Sequence, residues 1–439
     1  MEGGDRVNVR IVTYKDPEWE EEIRRMERRA EELEGGVEEV VASIIRKVRE
    51  RGDEALCELA KEIEGIDLSP SEIEVGRDER EEARKRVDPA VIEALEKEAE
   101  MVSRFHRMQQ RASSWFEVDE DGVLLGQKVS PIESVGIYAP AGTAPYPSSV
   151  IMSAIPAKIA GVRKLIMCCP ARKREWLDLM LVAADISGVD SVFRIGGAGA
   201  IAAMAYGTET VPKVDKIVGP GNIYVVTAKR MVYGVVDIEM PPGPSEILVL
   251  ADESADPSLI AADLLSQAEH DPMSLPLLIT TSFKIAEEVG KEIGIQMESL
   301  PRRDIAEKAI LGRGAILVAK DLDQAVEITN RIAPEHVEIM VENPLFLIGR
   351  IKNAGAIFIG DMSPEPIGDY MAGPSHVLPT GGRARFSSPL SVDEFLKRTS
   401  IIGYSRRGLA RDMEFGMRIA RIEGLEAHAR SLERRMGKR

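Results

Sequence analysis

Val135-Gly136-Ile137-Tyr138, Leu165-Ile166-Met167-Cys168-Cys169, Ser191-Val192-Phe193-Arg194-Ile195, Lys216-Ile217-Val218 and Val235-Val236-Asp237-Ile238 recur as short β-rich runs between Ser134 and Met240. Helical patterns separate them, residues 148–160 and 176–186 among them. Strands alternating with helices of this length predict a parallel sheet covered on both faces, because each parallel crossover lays a helix on the sheet. The alternation resumes with 247–250, 277–280, 315–319, 337–341 and 356–359. The economical reading is an α/β protein with two parallel-sheet units in succession, and Pro241-Pro242-Gly243-Pro244 as their seam.

Outside these units the patterns change. Residues 18–34 read as a highly charged helix ending at Gly35-Gly36, either solvated or an arm packed on a partner. Residues 37–63 and 89–113 carry apolar side chains at helical spacing and predict long amphipathic helices. Residues 360–390 are rich in Gly, Pro and Ser with little periodicity, and structureless stretches of that length inside compact domains are usually functional or disordered. Asp369, His376 and several arginines in the stretch favour function. From Ser391 the pattern returns to helix, at 393–398 and again from 406 to 435.

Composition narrows the partners. The chain of 439 residues is 44% hydrophobic and 30% charged, ordinary values for a globular protein with two to four domains. A net charge of −16 argues against nucleic acid or an anionic membrane, both of which need a basic surface. No apolar run reaches the roughly 18 residues of a membrane span, and Met1-Glu2-Gly3-Gly4-Asp5 lacks the basic-then-apolar order of a signal peptide. The three cysteines, Cys57, Cys168 and Cys169, show no C-x-x-C spacing. Together these predict a cytoplasmic protein with reduced thiols. A nucleophilic thiol in the 168–169 pair is the sharper alternative to two inert strand cysteines.

Four of the five histidines interrupt or end apolar runs beside polar groups: His270, His336, His376 and His428. Imidazole is the commonest metal ligand and the side chain best suited to proton transfer near neutrality, so these four predict one shared site. His106, in Arg104-Phe105-His106-Arg107, reads instead as a surface residue on a charged helix. Gln267 and His270 are three apart at a helix end and face one side. With Asp369 and His428 they could complete a mixed nitrogen and oxygen sphere of the kind zinc or a neighbouring metal accepts, although a polar patch is the plain alternative. Glu335-His336 follows the break at Pro334 and reads either as an acid/base pair or as a solvated helix end. Gly197-Ala198-Gly199-Ala200-Ile201-Ala202 has the G-x-G-x-x-A order between a strand and a helix. There a pyrophosphate could meet a helix N-terminus, with Asp215 near the spacing of a ribose-binding acid. Gly219-Pro220-Gly221-Asn222 is a second turn of this kind, and tight helix–strand packing is the competing explanation for both.

Several longer strings are more specific. They are Tyr138-Ala139-Pro140-Ala141-Gly142-Thr143-Ala144-Pro145, the run from Val214 to Asn222, Gly243-Pro244-Ser245-Glu246, and Ser266-Gln267-Ala268-Glu269-His270. Ala333-Pro334-Glu335-His336, Gly368-Asp369-Tyr370, His376-Val377-Leu378-Pro379-Thr380 and Glu423-Gly424-Leu425-Glu426-Ala427-His428 complete the series. In this order, from about residue 10 to the end, the chain resembles the histidinol dehydrogenase family.

That resemblance implies a zinc- and NAD-dependent oxidation of L-histidinol to L-histidine through bound L-histidinal, the last two steps of histidine biosynthesis, with two NAD reduced. Position by position it implies Gln267, His270, Asp369 and His428 as ligands of one zinc per subunit, His336 as general base, and Glu335 as the group that activates water. Ser245, His376 and Glu423 match substrate contacts, joined there by Gln267, His270, His336, Asp369 and His428. Tyr138, Gly199 and Asn222 stand at cofactor positions, and Gly199 replaces a glutamine common in the family. The implied fold is two incomplete Rossmann-like units with helical termini exchanged in a homodimer. The implied divisions are an arm at 1–34, a first unit from 35–137 plus 245–390, a nucleotide unit at 138–244 and a tail at 391–439. A site shared between subunits would explain a ligand eleven residues from the chain end. The nearest rival is a paralogous alcohol dehydrogenase acting on another amino alcohol or a sulfonated diol. A zinc hydrolase would be expected to carry an H-E-x-x-H helix, which this sequence lacks, and an inactive regulator would not keep every acid/base residue.

Overall fold

The computed structural model describes residues 9–29, 36–141, 144–170, 172–240 and 243–437. The expected helix end at Gly35, Gly142-Thr143 of the longest motif and Pro241-Pro242 of the seam lie outside these residues. In chain order the first half contains β1 (Ile11–Thr13), α1 (Trp19–Glu27), α2 (Glu38–Leu59), α3 (Arg77–Arg86) and α4 (Pro89–Met108). Next come β2 (Trp115–Val118), β3 (Val123–Pro131), β4 (Ser134–Tyr138), α5 (Pro147–Ala160), β5 (Lys164–Cys168) and α6 (Arg174–Ile186). They are followed by β6 (Ser191–Phe193), α7 (Gly197–Tyr206), β7 (Lys216–Val218), α8 (Ile223–Val232) and β8 (Asp237–Ile238). The second half contains β9 (Glu246–Ala251), α9 (Pro257–Ala268), β10 (Leu275–Thr280), α10 (Phe283–Met297), α11 (Arg303–Gly312) and β11 (Ala315–Val318). It continues with α12 (Leu322–Ile332), β12 (His336–Met340), α13 (Leu345–Ile348), β13 (Ala356–Ile359) and α14 (Glu365–Tyr370). The end of the chain forms β14 (Leu396–Tyr404), α15 (Arg406–Ile422) and α16 (Glu426–Met436).

Two parallel sheets carry the fold. One has the order β6-β5-β4-β7-β8 and the other β1-β11-β10-β9-β12-β13. Apart from β1 on its edge, the second repeats the topology of the first. In each, the first strand sits at the centre, the next two extend to one side and the last two to the other. That is the doubly wound arrangement, with its switch point between the first and fourth strands. Every residue of β9 and β10 is buried, which explains why these strands read as continuous apolar runs rather than alternating ones. Each fully buried Leu or Ile there contributes roughly 1.5–3 kcal/mol of transfer free energy.

Helices α2 and α4 share their buried residues with the five-stranded sheet: Val41, Leu56 and Leu59 pack with α7, and Leu95, Ala99 and Val102 with α5. The segment assigned from sequence to the 245–390 unit therefore packs on the other sheet. It brings the Pro89–Met108 helix to the junction between the two sheets.

The sequence reading fails at three further points in the fold. The helix expected at 393–398 is a 3-10 turn, Val392–Phe395, running into β14. That strand pairs antiparallel with β3, from Leu396 opposite Pro131 to Tyr404 opposite Val123, and β2 completes a small third sheet. The continuous helix expected from 406 to 435 breaks at Glu423-Gly424-Leu425, where Gly424 takes φ +76° and turns α16 back on α15. His106 is fully buried, with its Nδ1 at 2.8 Å from Gln109 Oε1, and is not a surface residue.

Candidate active site

The site is built on the amino ends of β9 and β12, neighbours at the centre of the six-stranded sheet. Helix α12 ends at Ala333, whose φ of +50° makes it the single non-glycine residue in the left-handed region among those described. This reversal and Pro334 turn the chain into β12, so that Glu335 and His336 both enter the interior, 6% and 4% exposed. His336 Nδ1 lies 2.8 Å from the Glu246 carbonyl oxygen and must donate to it, since a carbonyl only accepts. Nε2 is then the basic nitrogen. It points toward Glu365, whose Oε1 is 3.8 Å away. Burial, outweighing the nearby Asp369 charge, holds His336 below the ordinary histidine range and keeps the imidazole neutral. Glu335 Oε2 accepts the Glu246 N–H at 2.8 Å, and burial raises its carboxyl well above the usual value.

Helix α14 supplies the rest of the floor. Glu365 and Asp369 are four residues apart, so one helical face presents both carboxylates. With His336 they offer donor atoms all within 4.8 Å of one another. Burial and the Asp369 charge push Glu365 up to about 9, and burial pushes Glu98 of α4, beside the same carboxylate, up to about 8. His376 reaches the Asp369 carbonyl oxygen with Nδ1 at 3.2 Å and Ser149 Oγ, on the first turn of α5, with Nε2 at 3.2 Å. One imidazole thus ties Asp369 to the five-stranded half.

Helix α9 packs against α14 and carries Gln267 in its last turn, with His270 two residues beyond its end. Gln267 is 1% exposed, and its Oε1 is buried with no hydrogen-bond partner. A buried amide oxygen left without a donor is costly and is the kind of group a bound cation satisfies. His270 lies outside the 4.8 Å cluster but near enough for its charge to bear on His336. Ser245 precedes β9, half-buried, its carbonyl bonded to Leu275 N–H at 2.9 Å. Asp369 therefore lies beside His336 and Glu335, and α9 sets the buried Gln267 on an element packed against α14, whereas Glu423 and His428 do not belong to this cluster among the described residues. Those two are exposed on the α15–α16 hairpin, lining an open concavity with Ile419, Leu425 and Leu432. Glu365, Glu246 and Glu98 were missed as site residues. Glu365 carried a signal in its helical spacing from Asp369, and Glu246 in closing the Gly243-Pro244-Ser245-Glu246 string, while Glu98 carried none.

The glycine turns lie at the carboxyl ends of the five-stranded sheet, where the doubly wound topology opens its crevice. Gly197 takes φ +59° and donates its N–H to Tyr138 Oη at 3.1 Å, so Tyr138 braces the start of α7. Gly219 takes φ +114°, and a Cβ there would collide with the Tyr138 carbonyl oxygen. Asn222 caps α8, its Oδ1 accepting from Tyr224 and Val225 N–H at 3.1 and 3.2 Å. Gly199 faces α2: a Cβ would lie 3.1 Å from Leu59 Cδ1. Asp215 is at the opposite end of the sheet, bonded to Ser134 Oγ at 2.6 Å, and holds β4 to β7 rather than a ribose. Cys168 and Cys169 are fully buried and burial drives both thiols far upward, which removes the nucleophile reading.

A family model for histidinol dehydrogenase matches residues 26–436. The chain is 50% identical over 428 residues to the histidinol dehydrogenase of Syntrophotalea carbinolica, covering 98% of this chain and 99% of that one. It is also 50% identical over 429 residues to that of Geobacter sulfurreducens, covering 98% and 100%. The crystal structure of histidinol dehydrogenase from Elizabethkingia anophelis superposes with a TM-score of 0.91 at 33% identity over 99% of each chain. With sequence and fold in agreement along nearly its whole length, the chain belongs to the histidinol dehydrogenase family of NAD-dependent oxidoreductases.

Proposed function

We propose that this chain oxidises L-histidinol to L-histidine in the cytoplasm, through L-histidinal that stays bound, with two NAD reduced and one zinc per subunit. The observation that carries the reading is the grouping of His336 and Asp369 with the buried Glu335, together with a buried, unpartnered Gln267 amide on the helix packed against α14. Gln267, His270 and Asp369 of one subunit, with His428 supplied by a second copy, would hold the metal. Such a metal would supply Lewis-acid anchoring of the substrate, and a bound NAD would be the hydride acceptor for both oxidations.

The remaining work belongs to side chains. His336, neutral and fixed in its tautomer by the Glu246 carbonyl, takes the alcohol proton on Nε2 as hydride leaves. Glu335 removes a proton from the water that hydrates the aldehyde. Ser245 and His376, with Glu423 from the second copy, contact the substrate. Tyr138, Gly199 and Asn222 border the nucleotide. The exposed α15–α16 hairpin supports a homodimer with exchanged ends, since Glu423 and His428 need another chain beside Asp369.

Two experiments test the reading. Purified enzyme given limiting histidinol should yield two NADH per molecule, and one NADH with free aldehyde would overturn it. Mixed dimers of His428→Ala and His336→Ala subunits should regain turnover that neither parent dimer has. Mixed dimers as inactive as both parents would remove the shared site.

A further inference from the structure

The motif Gly243-Pro244-Ser245-Glu246 ends on a glutamate that the chemistry above uses only through its backbone. Glu246 is 3% exposed, and so is Arg29, on the chain just beyond α1. The two form a bidentate pair, Arg29 Nε to Glu246 Oε1 and Nη2 to Oε2, both at 2.6 Å. Nothing in the acid/base reading requires two buried charges here, and burying them carries a desolvation cost that good geometry must offset.

The partners explain the placement. Arg29 also donates to the carbonyl oxygens of Ile332 at 3.0 Å and Ala333 at 3.4 Å, the last turn of α12 and its left-handed cap. Glu246 Oε2 accepts the Glu335 N–H at 3.3 Å, and Oε1 accepts the Gly381 N–H at 2.8 Å. Residues 332, 333 and 335 are thus gripped from both sides, at the one strained non-glycine position among the described residues. Arg29 is itself held: α1 buries Ile23 and Met26, Met26 O accepts from Arg29 Nη1 at 2.7 Å, and Arg331 on α12 pairs with Glu20 and Glu27 of α1.

We propose that Arg29 is a positioning residue for the Glu335–His336 pair, acting through Glu246 and the Ile332–Ala333 carbonyl groups. The proposal rests on the acid/base roles given to Glu335 and His336 above. The N-terminal helix is then part of the machinery that aims the base, and a guanidinium is required because a single ammonium cannot satisfy both carboxylate oxygens and two carbonyls at once.

The test compares the full-length variants Arg29→Met, Arg29→Lys and Glu246→Gln with Glu335→Gln and His336→Ala. Turnover is measured separately from histidinol and from histidinal across pH. Arg29→Met should lower kcat at least 100-fold for both substrates while KM for either changes less than about threefold. Arg29→Lys should recover only part of that loss, and Glu246→Gln should shift the pH limb of histidinal oxidation by at least half a pH unit. If Arg29→Met does not fold, Arg29→Lys and Glu246→Gln at wild-type melting temperature decide by the same kcat and pH criteria. Wild-type kcat and pH profile in folded Arg29 and Glu246 variants, alongside inactive Glu335→Gln and His336→Ala, would overturn the positioning role alone. Active Glu335→Gln and His336→Ala enzymes would instead overturn the acid/base reading beneath it.

Discussion

The buried Lys229–Glu239 pair beneath the second glycine turn offers a sharp quantitative test. Lys229 Nζ donates to Glu239 Oε1 at 2.6 Å and to Gly219 O at 2.8 Å, while the same Glu239 oxygen accepts the Gly219 N–H at 2.7 Å. Lys229 is 0% exposed and Glu239 7%. Burial pushes Glu239 up and Lys229 down, each opposed by the charge of the other. Lys229→Met leaves a carboxyl in the interior without its cation. Breaking a buried pair in this way costs about 3–5 kcal/mol. The carboxyl can limit the damage by taking a proton, which at pH 7 means working about 2.7 pH units above the ordinary glutamate value at about 1.4 kcal/mol per unit, or about 3.7 kcal/mol. A further ~1 kcal/mol goes with the hydrogen bond to Gly219 O. The expected loss at pH 7 is therefore about 5 kcal/mol, a large part of the 5–15 kcal/mol typical of folded proteins. In the variant Glu239 binds its proton more tightly folded than unfolded. Stability is then fully present below the unfolded value near pH 4 and falls as pH rises. Lowering pH from 7 to 5.5 should return about 2 kcal/mol of the deficit. Lys229→Met/Glu239→Gln should come within about 1.5 kcal/mol of wild type, having exchanged a charge problem for a neutral hydrogen bond. Urea unfolding followed by circular dichroism at fixed subunit concentration reads all three. A Lys229→Met deficit below about 1 kcal/mol, or one unchanged between pH 5.5 and 8, would refute the reasoning.

Other outcomes follow from single positions. Gly199→Gln, which restores the residue common in the family, should destabilise the protein by about 1–3 kcal/mol because its side chain meets Leu59 of α2; a higher melting temperature would contradict this packing role. Asp215→Ala should lower the melting temperature by loosening β4 from β7 while KM for NAD stays within about twofold, and a large KM increase in folded enzyme would reinstate a ribose contact. Burial and the neighbouring Asp263 push Glu338 up to about 9, so folded protein binds that proton more tightly than unfolded protein and loses stability as pH rises from about 4.5 to 9. Glu338→Gln should therefore gain melting temperature relative to wild type as pH climbs, and a difference constant across pH 5–9 would count against the raised carboxyl. Cys168 and Cys169 should resist thiol reagents in native enzyme while Cys57 reacts first; modification of all three at equal rates would refute their burial.

The parallel strands were legible because burial on both faces turns each into an unbroken apolar run, as in Leu277–Thr280 within β10. Strand β14 was not legible. Lys397-Arg398-Thr399-Ser400 has no buried face to report, and its pairing with β3 joins positions about 270 residues apart. His106 was misread from its charged neighbours, although Leu95, Ala99, Val102 and His106 recur at four, three and four residues and mark one buried face of α4. Near the His336 cluster, local strings pointed to Glu335, His336 and Asp369, which the structure places close together. Glu98 and Arg29 reach the same region from distant helices, and no local pattern announces a contact fixed only by how the two sheets meet.

Strand β1 adds to the edge of the six-stranded sheet through Ile11 opposite Ile316, and Arg29 waits on Glu246. On a ribosome making about 5–20 residues per second, the roughly 300 residues between β1 and its partner strand take about 15–60 s to emerge. For that interval the oldest part of the chain has a strand edge and a buried-to-be guanidinium with nowhere to go. The five-stranded half, whose strands all lie between Ser134 and Ile238, can close in the meantime. Docking of the N-terminal segment on the six-stranded sheet is thus one of the last events open to the nascent polypeptide.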